Sequence, residues 1–133
     1  MKKSGGSFGN MTRLMSVYLV GIMYHDTESY HRWNKGLMED YESSTGIFIT
    51  AESEADALAW GNQISAMLFK KINPDETADW KSFGYDSWIE NIEDSHWKQN
   101  YGFFQRVNYG ELPNFDLMGD EAYEKWILNR NKE

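Results

Sequence analysis

A chain of 133 residues, 41% hydrophobic and 16% aromatic, has the size of one domain and enough large apolar side chains to fill a core, which excludes disorder despite a mean hydropathy of −0.70. Cys is absent, which removes disulfides, thiolate metal sites and a cysteine nucleophile. The net charge of −8 is unevenly placed: residues 36–94 hold thirteen acids against Lys70, Lys71 and Lys81, a net −10, which repels phosphate backbones and anionic lipid and attracts basic partners.

Residues 1–12 read as a flexible leader, with Gly5, Gly6, Gly9 and two Ser, and a single globular domain is expected over 13–133. The apolar run Leu14–Tyr24 is shorter than the roughly 20 residues a membrane span needs. No small-residue cleavage site follows it, so the expected location is cytoplasmic. Met15 to Tyr24 is apolar in both alternating sets: Met15, Val17, Leu19 and Met23 against Tyr18, Val20, Ile22 and Tyr24. That pattern predicts a central strand covered on both faces.

Asp26 or Thr27 can cap a following helix whose Tyr30, Trp33, Leu37 and Tyr41 recur at steps of three and four, with Gly36 as a weak point inside it. Gly46 to Ala51 is short and rich in β-branched residues, and reads as a second buried strand. Ser53 with Asp56 approximates a capping box. The helix it opens has an inward stripe of Ala57, Trp60, Gly61, Ile64, Leu68 and Ile72, acids at its start, and Lys70 and Lys71 at its end, where they complement the helix dipole. Asn73 and Pro74 stop it, and with Glu76 they resemble the start of another short helix running through Trp80.

Phe83 to Ile92 and Tyr101 to Tyr109 are aromatic-rich and separated by the polar Glu93–Asn100, which predicts two antiparallel strands joined by a loop. Asp120 can cap a C-terminal helix with Tyr123, Trp126, Ile127 and Arg130 on one face. The early strand, helix, strand, helix order suggests a right-handed βαβ crossover. The expected fold class is therefore α+β: a single-domain two-layer sandwich with a mixed sheet of about four strands and two to three main helices.

Chemistry-bearing patterns are sparse. His25, Asp26, Glu28 and His31 lie where a strand hands over to a helix, yet the histidines lack the i, i+4 spacing of a helical zinc pair. Glu39, Asp40 and Glu42 read as a solvated helix face. No G-x-S-x-G elbow or phosphate-binding glycine loop occurs, so neither a cofactor nor a catalytic residue is assigned. The clearest functional signal is the stretch Asp75–Asp94. Its acids Asp75, Glu76, Asp79, Asp86, Glu90, Glu93 and Asp94 surround Trp80, Tyr85 and Trp88 with one Lys among them. Aromatic anchors inside an acidic rim fit a protein interface.

The sequence thus points to a small acidic interaction module that binds a basic protein partner, with inhibition of the antitoxin, immunity or phage-inhibitor type as one outcome. The alternatives are a metal- or small-ligand-binding enzyme using the His25 to His31 segment, and a subunit of a larger assembly, which includes a homo-oligomer. Direct nucleic-acid or membrane binding is not expected.

Overall fold

A computed structural model describes residues 14–25, 35–36 and 43–131. Within them the chain order is β1 (Ser16–Tyr24), β2 (Ser43–Ala51), α1 (Glu54–Ile72), a short 3-10 helix (Trp80–Phe83), β3 (Asp86–Glu90), a 3-10 turn (Lys98–Asn100), β4 (Gln105–Asn108), a 3-10 turn (Phe115–Leu117) and α2 (Asp120–Asn131). One four-stranded mixed sheet in the order β3-β1-β2-β4 joins them, giving an α+β domain. No helix of the described residues is long and apolar enough to cross a membrane.

The two strands that are apolar on both alternating sets take the two central places. They pair antiparallel from Ser16↔Ala51 to Tyr24↔Ser43. This corrects the expected right-handed crossover between them, because a crossover requires parallel strands. The parallel pair is instead β2 with β4, from Ile47↔Gln105 to Thr50↔Asn108. The expected hairpin of the two later strands is corrected as well: β3 pairs antiparallel with β1, and β4 lies on the opposite edge of the sheet. The segment between β3 and β4 is too rich in apolar side chains to serve as a solvated loop. Its Ile92, Trp97, Tyr101, Phe103 and Phe104 pack with Leu19 and Phe48 of the central strands, so their burial carries the chain from one edge to the other.

Alternating side chains leave opposite faces of a sheet. On one face Val20, Ile22 and Tyr24 of β1 and Ile47, Ile49 and Ala51 of β2 meet Ala57, Ile64, Leu68 and Phe69 of α1, with Tyr85 and Val107 closing the cluster. Within it, Ser65 of α1 and Ser87 of β3 satisfy each other across 2.5 Å. The expected inward stripe of α1 is seen, with Trp60 and Ile72 half-buried at its margins. Ser53 is the N-cap, its Oγ accepting from the Asp56 amide at 3.1 Å. At the other end the Asn73 amide donates to the Phe69 carbonyl at 2.8 Å.

The short helix expected to begin at Asn73 does not form. The Asn73 side-chain amide is turned inward, towards the carbonyls of His25 and Phe69 and the Tyr85 hydroxyl. The buried side chain is thus tied to the elements before it, and a 3-10 turn appears later, at Trp80–Phe83. Asp120 also departs from its expected capping role. The Tyr123 amide bonds to the Gly119 carbonyl, so Asp120 already sits in the first turn of α2 while its carboxylate engages Tyr24 and Ser43.

The leader 1–12 and most of the helix expected over residues 30–41 lie outside the described residues. Gly36, which is described, has φ +77° in a turn. An α-helix does not continue through that left-handed conformation.

Candidate functional site

β3 is an edge strand whose outward-alternating residues are Asp86, Trp88 and Glu90, a sequence of acid, indole, acid on the face away from α1. What fixes the indole is the strand beside it. Trp88 is the cross-strand partner of Gly21, and a Cβ placed on Gly21 would sit 2.5 Å from the indole Cε2. Gly21 is itself paired with Gly46 of β2, and a Cβ on Gly46 would meet the Phe104 ring at 2.7 Å. Two adjacent glycines therefore make a bare strip across the sheet centre, and Trp88 and Phe104 cover it from its two sides. Trp97 touches both, at ring distances of 6.1 Å to Trp88 and 5.7 Å to Phe104.

The indole N–H of Trp88 donates to Glu90 Oε2 at 2.6 Å, which holds the carboxylate beside the ring. Both residues remain half-exposed. Asp75, Asp79, Asp86, Glu93 and Asp94 are exposed, and Glu76 is half-buried, its backbone carbonyl accepting from the Lys70 ammonium. Lys81, the one base of the stretch, approaches Asp86 at 3.8 Å with both side chains exposed, a surface pair that adds little stability and leaves the acidic balance in place. Its ammonium also lies 5.4 Å from the Trp80 ring.

Two of the three candidate anchors behave differently from Trp88. Trp80 is half-buried and packs against the main core. Tyr85 is 2% exposed; its hydroxyl donates to the His25 carbonyl at 2.6 Å and its ring stands edge-on to Phe69 at 5.1 Å. Tyr85 is therefore corrected from a partner-contacting residue to a core residue, since alternation along the strand turns it to the α1 face together with Ser87.

Of the His25 to His31 segment only His25 is described. It is 5% exposed, with its ring 5.1 Å from that of Tyr85; Asp26, Glu28 and His31 lie outside the described residues. Among the described residues no group of three or more His, Asp or Glu converges as a metal site requires.

A cavity of about 280 Å³ opens at the end of the central strands, where Tyr24 and Ser43 meet the start of α2. Tyr24 donates its phenol proton to Asp120 Oδ1 at 2.8 Å, and the Ser43 hydroxyl reaches Oδ2 at 3.3 Å. Burial of Tyr24, its hydrogen bond to Asp120 and the nearby carboxylate charge push the phenol pKa well above its ordinary value, so it stays neutral. Trp97, Phe103, Phe104 and Tyr123 supply aromatic lining, and the Tyr123 hydroxyl donates to Asn100 Oδ1 at 3.0 Å. Sequence reasoning assigned Tyr24 to a strand and Asp120 to a cap without connecting them. Ninety-six positions separate the two, and no local pattern reports a contact at that range. No family model, curated protein or solved structure matches this chain.

Proposed function

We propose that the chain is a non-catalytic interaction module that binds a basic protein partner through the acidic surface around β3. The observation that carries this reading is the Trp88–Glu90 pair: a half-exposed indole seated on Gly21, bonded to a carboxylate, on an edge strand flanked by further acids. A rigidly seated aromatic loses little side-chain freedom on binding, which favours it as an anchor, and carboxylates around it steer a cationic partner before contact. Asp79, Asp86, Glu90, Glu93 and Asp94 provide that field, with Asp75 and Glu76 at the foot of α1. Inhibition follows where the covered surface of the partner is its own anion-binding groove.

The test is capture of a partner from lysate of the source organism on immobilised protein, followed by identification of the partner and binding measurements with the purified pair. The expected result is a basic partner released by raised salt and bound more weakly by the folded triple charge-reversal variant at Asp79, Asp86 and Glu90. Unchanged affinity of that variant across low and moderate salt would overturn the reading.

A further inference from the structure

We propose that the cavity beside Asp120 is a binding site for a small alkylammonium ligand, an ammonium head on a short aliphatic chain. It is distinct from the β3 surface and does not depend on the function proposed for that surface.

The lining divides into an aromatic part and an acceptor-rich part. Ring contacts run without interruption from Trp97 to Phe104 at 5.7 Å and 80°, from Phe104 to Phe103 at 6.3 Å and 63°, and from Phe103 to Tyr123 at 5.3 Å and 79°. Successive near-perpendicular rings offer both faces and edges to whatever fills the space, and ring faces attract a cation.

The acceptor part centres on Asp120, the one carboxylate among the described lining residues, none of which is Lys, Arg or His. Each of its oxygens is held by one hydroxyl, Tyr24 on Oδ1 and Ser43 on Oδ2. A carboxylate offers about four lone-pair sites, so two bonds orient the group and leave capacity for a further donor.

The hydroxyl protons of Tyr24 and Ser43 are committed to Asp120 and that of Tyr123 to Asn100, while Ser44, Thr45 and the Asn100 amide complete the polar part of the lining. An anion would face the Asp120 charge with no base among the described lining residues to answer it. The positive end of the α2 dipole, equivalent to about half a charge, is offset by Asp120 and Glu121 in its first turn.

Size narrows the class further. At about 280 Å³ the cavity lies just below the range of about 300–1,000 Å³ typical of drug-sized ligands, which selects a compact guest. The net charge of −8 raises the local concentration of cations around the whole molecule. A cation that also buries its alkyl chain against Trp97 and Phe104 gains something sodium does not.

The experiment is a titration of the full chain, labelled with nitrogen-15, with n-butylammonium chloride at constant ionic strength, read by NMR at the Trp97 indole and the backbone amides of Asn100 and Tyr123. The neutral n-butanol serves as the near-isosteric control. Expected are saturable shifts at those three positions, binding of n-butanol weaker by about tenfold or more, and a similar loss in Asp120→Asn.

Absence of saturable shifts, equal response to n-butanol, or shifts that map to the β3 acids would each overturn the proposal. So would wild-type affinity in a folded Asp120→Asn variant. If that variant does not fold, the comparison of n-butylammonium with n-butanol on the wild-type chain decides alone.

Discussion

Trp88 lies directly over Gly21, its cross-strand partner, so closely that a single methyl group on Gly21 would fall 2.5 Å from the indole. The neighbouring Gly46 stands in the same relation to Phe104. The aromatic surface therefore rests on missing side chains, and substitution at either position reads out how firmly it is seated. Gly21→Ala is expected to destabilise the fold by about 1–3 kcal/mol, the usual cost of overpacking a rigid neighbour. This outweighs the roughly 0.5–1 kcal/mol that replacing Gly by Ala gains from the unfolded chain. Urea denaturation of the single variants measures it, and a neutral or stabilising Gly21→Ala would mean that the indole moves aside freely.

Ser53→Ala should cost on the order of 1 kcal/mol, because the Oγ that satisfies the Asp56 amide is lost while the helix itself is unchanged. The same denaturation assay reports it, with far-UV circular dichroism expected to remain at the wild-type level.

Tyr24 supplies a pH dependence whose sign follows from its burial and its bond to Asp120. The folded state raises the phenol pKa above its unfolded value near 10, so above that pH the unfolded chain releases a proton that the native chain retains. Stability contributed by Tyr24 is accordingly present below about pH 10 and declines as the pH rises further. Tyr24→Phe lacks this proton. It should be less stable than wild type by about 0.5–1.5 kcal/mol at neutral pH, and the difference should shrink above pH 10. A gap that stays constant across that range would place the phenol outside the titration.

For the β3 surface the two kinds of variant should separate kinetically. Charge reversal at Asp79, Asp86 and Glu90 is expected to slow association with the identified partner and to reduce its salt dependence. Trp88→Ala is expected mainly to speed dissociation, because rim charges act on encounter and buried anchors on residence. Surface plasmon resonance at two ionic strengths resolves the two rates, after thermal unfolding has confirmed that each variant is folded. Equal effects of both variants on dissociation alone would remove steering from the mechanism.

The helix Glu54–Ile72 was legible because every local signal agreed: Ser53 at its cap, acids in its first turn, a stripe at helical spacing, and Lys70, Lys71 and Asn73 at its end. The central strands were legible for a similar reason, since both alternating sets of β1 are apolar. Their direction was not. A strand buried on both faces carries no record of which edge meets which neighbour, so the antiparallel pairing of β1 with β2 and the separation of β3 from β4 emerge only from tertiary packing.

At the acidic surface, composition marked the segment correctly as charged and aromatic, but one-residue alternation decided which rings it exposes. Trp88 faces outward over Gly21, while Tyr85, three residues earlier, is buried against Phe69. The cavity at Asp120 was invisible to any window-based reading, since Tyr24, Asn100 and Asp120 come from three separate parts of the chain.

Among the described strands the one parallel pairing, β2 with β4, is completed by the last strand to be synthesised. Strands β3, β1 and β2 form a contiguous antiparallel set that is complete, together with α1, once the chain has been made through Glu90. β4 then aligns Gln105 with Ile47, and the packing of the aromatic crossing on Leu19 and Phe48 offsets part of the entropic cost of that closure. During synthesis the free edge of β2 stays open until that final strand arrives. The nascent chain therefore passes through a stage in which the central strand β2 is paired along one edge alone.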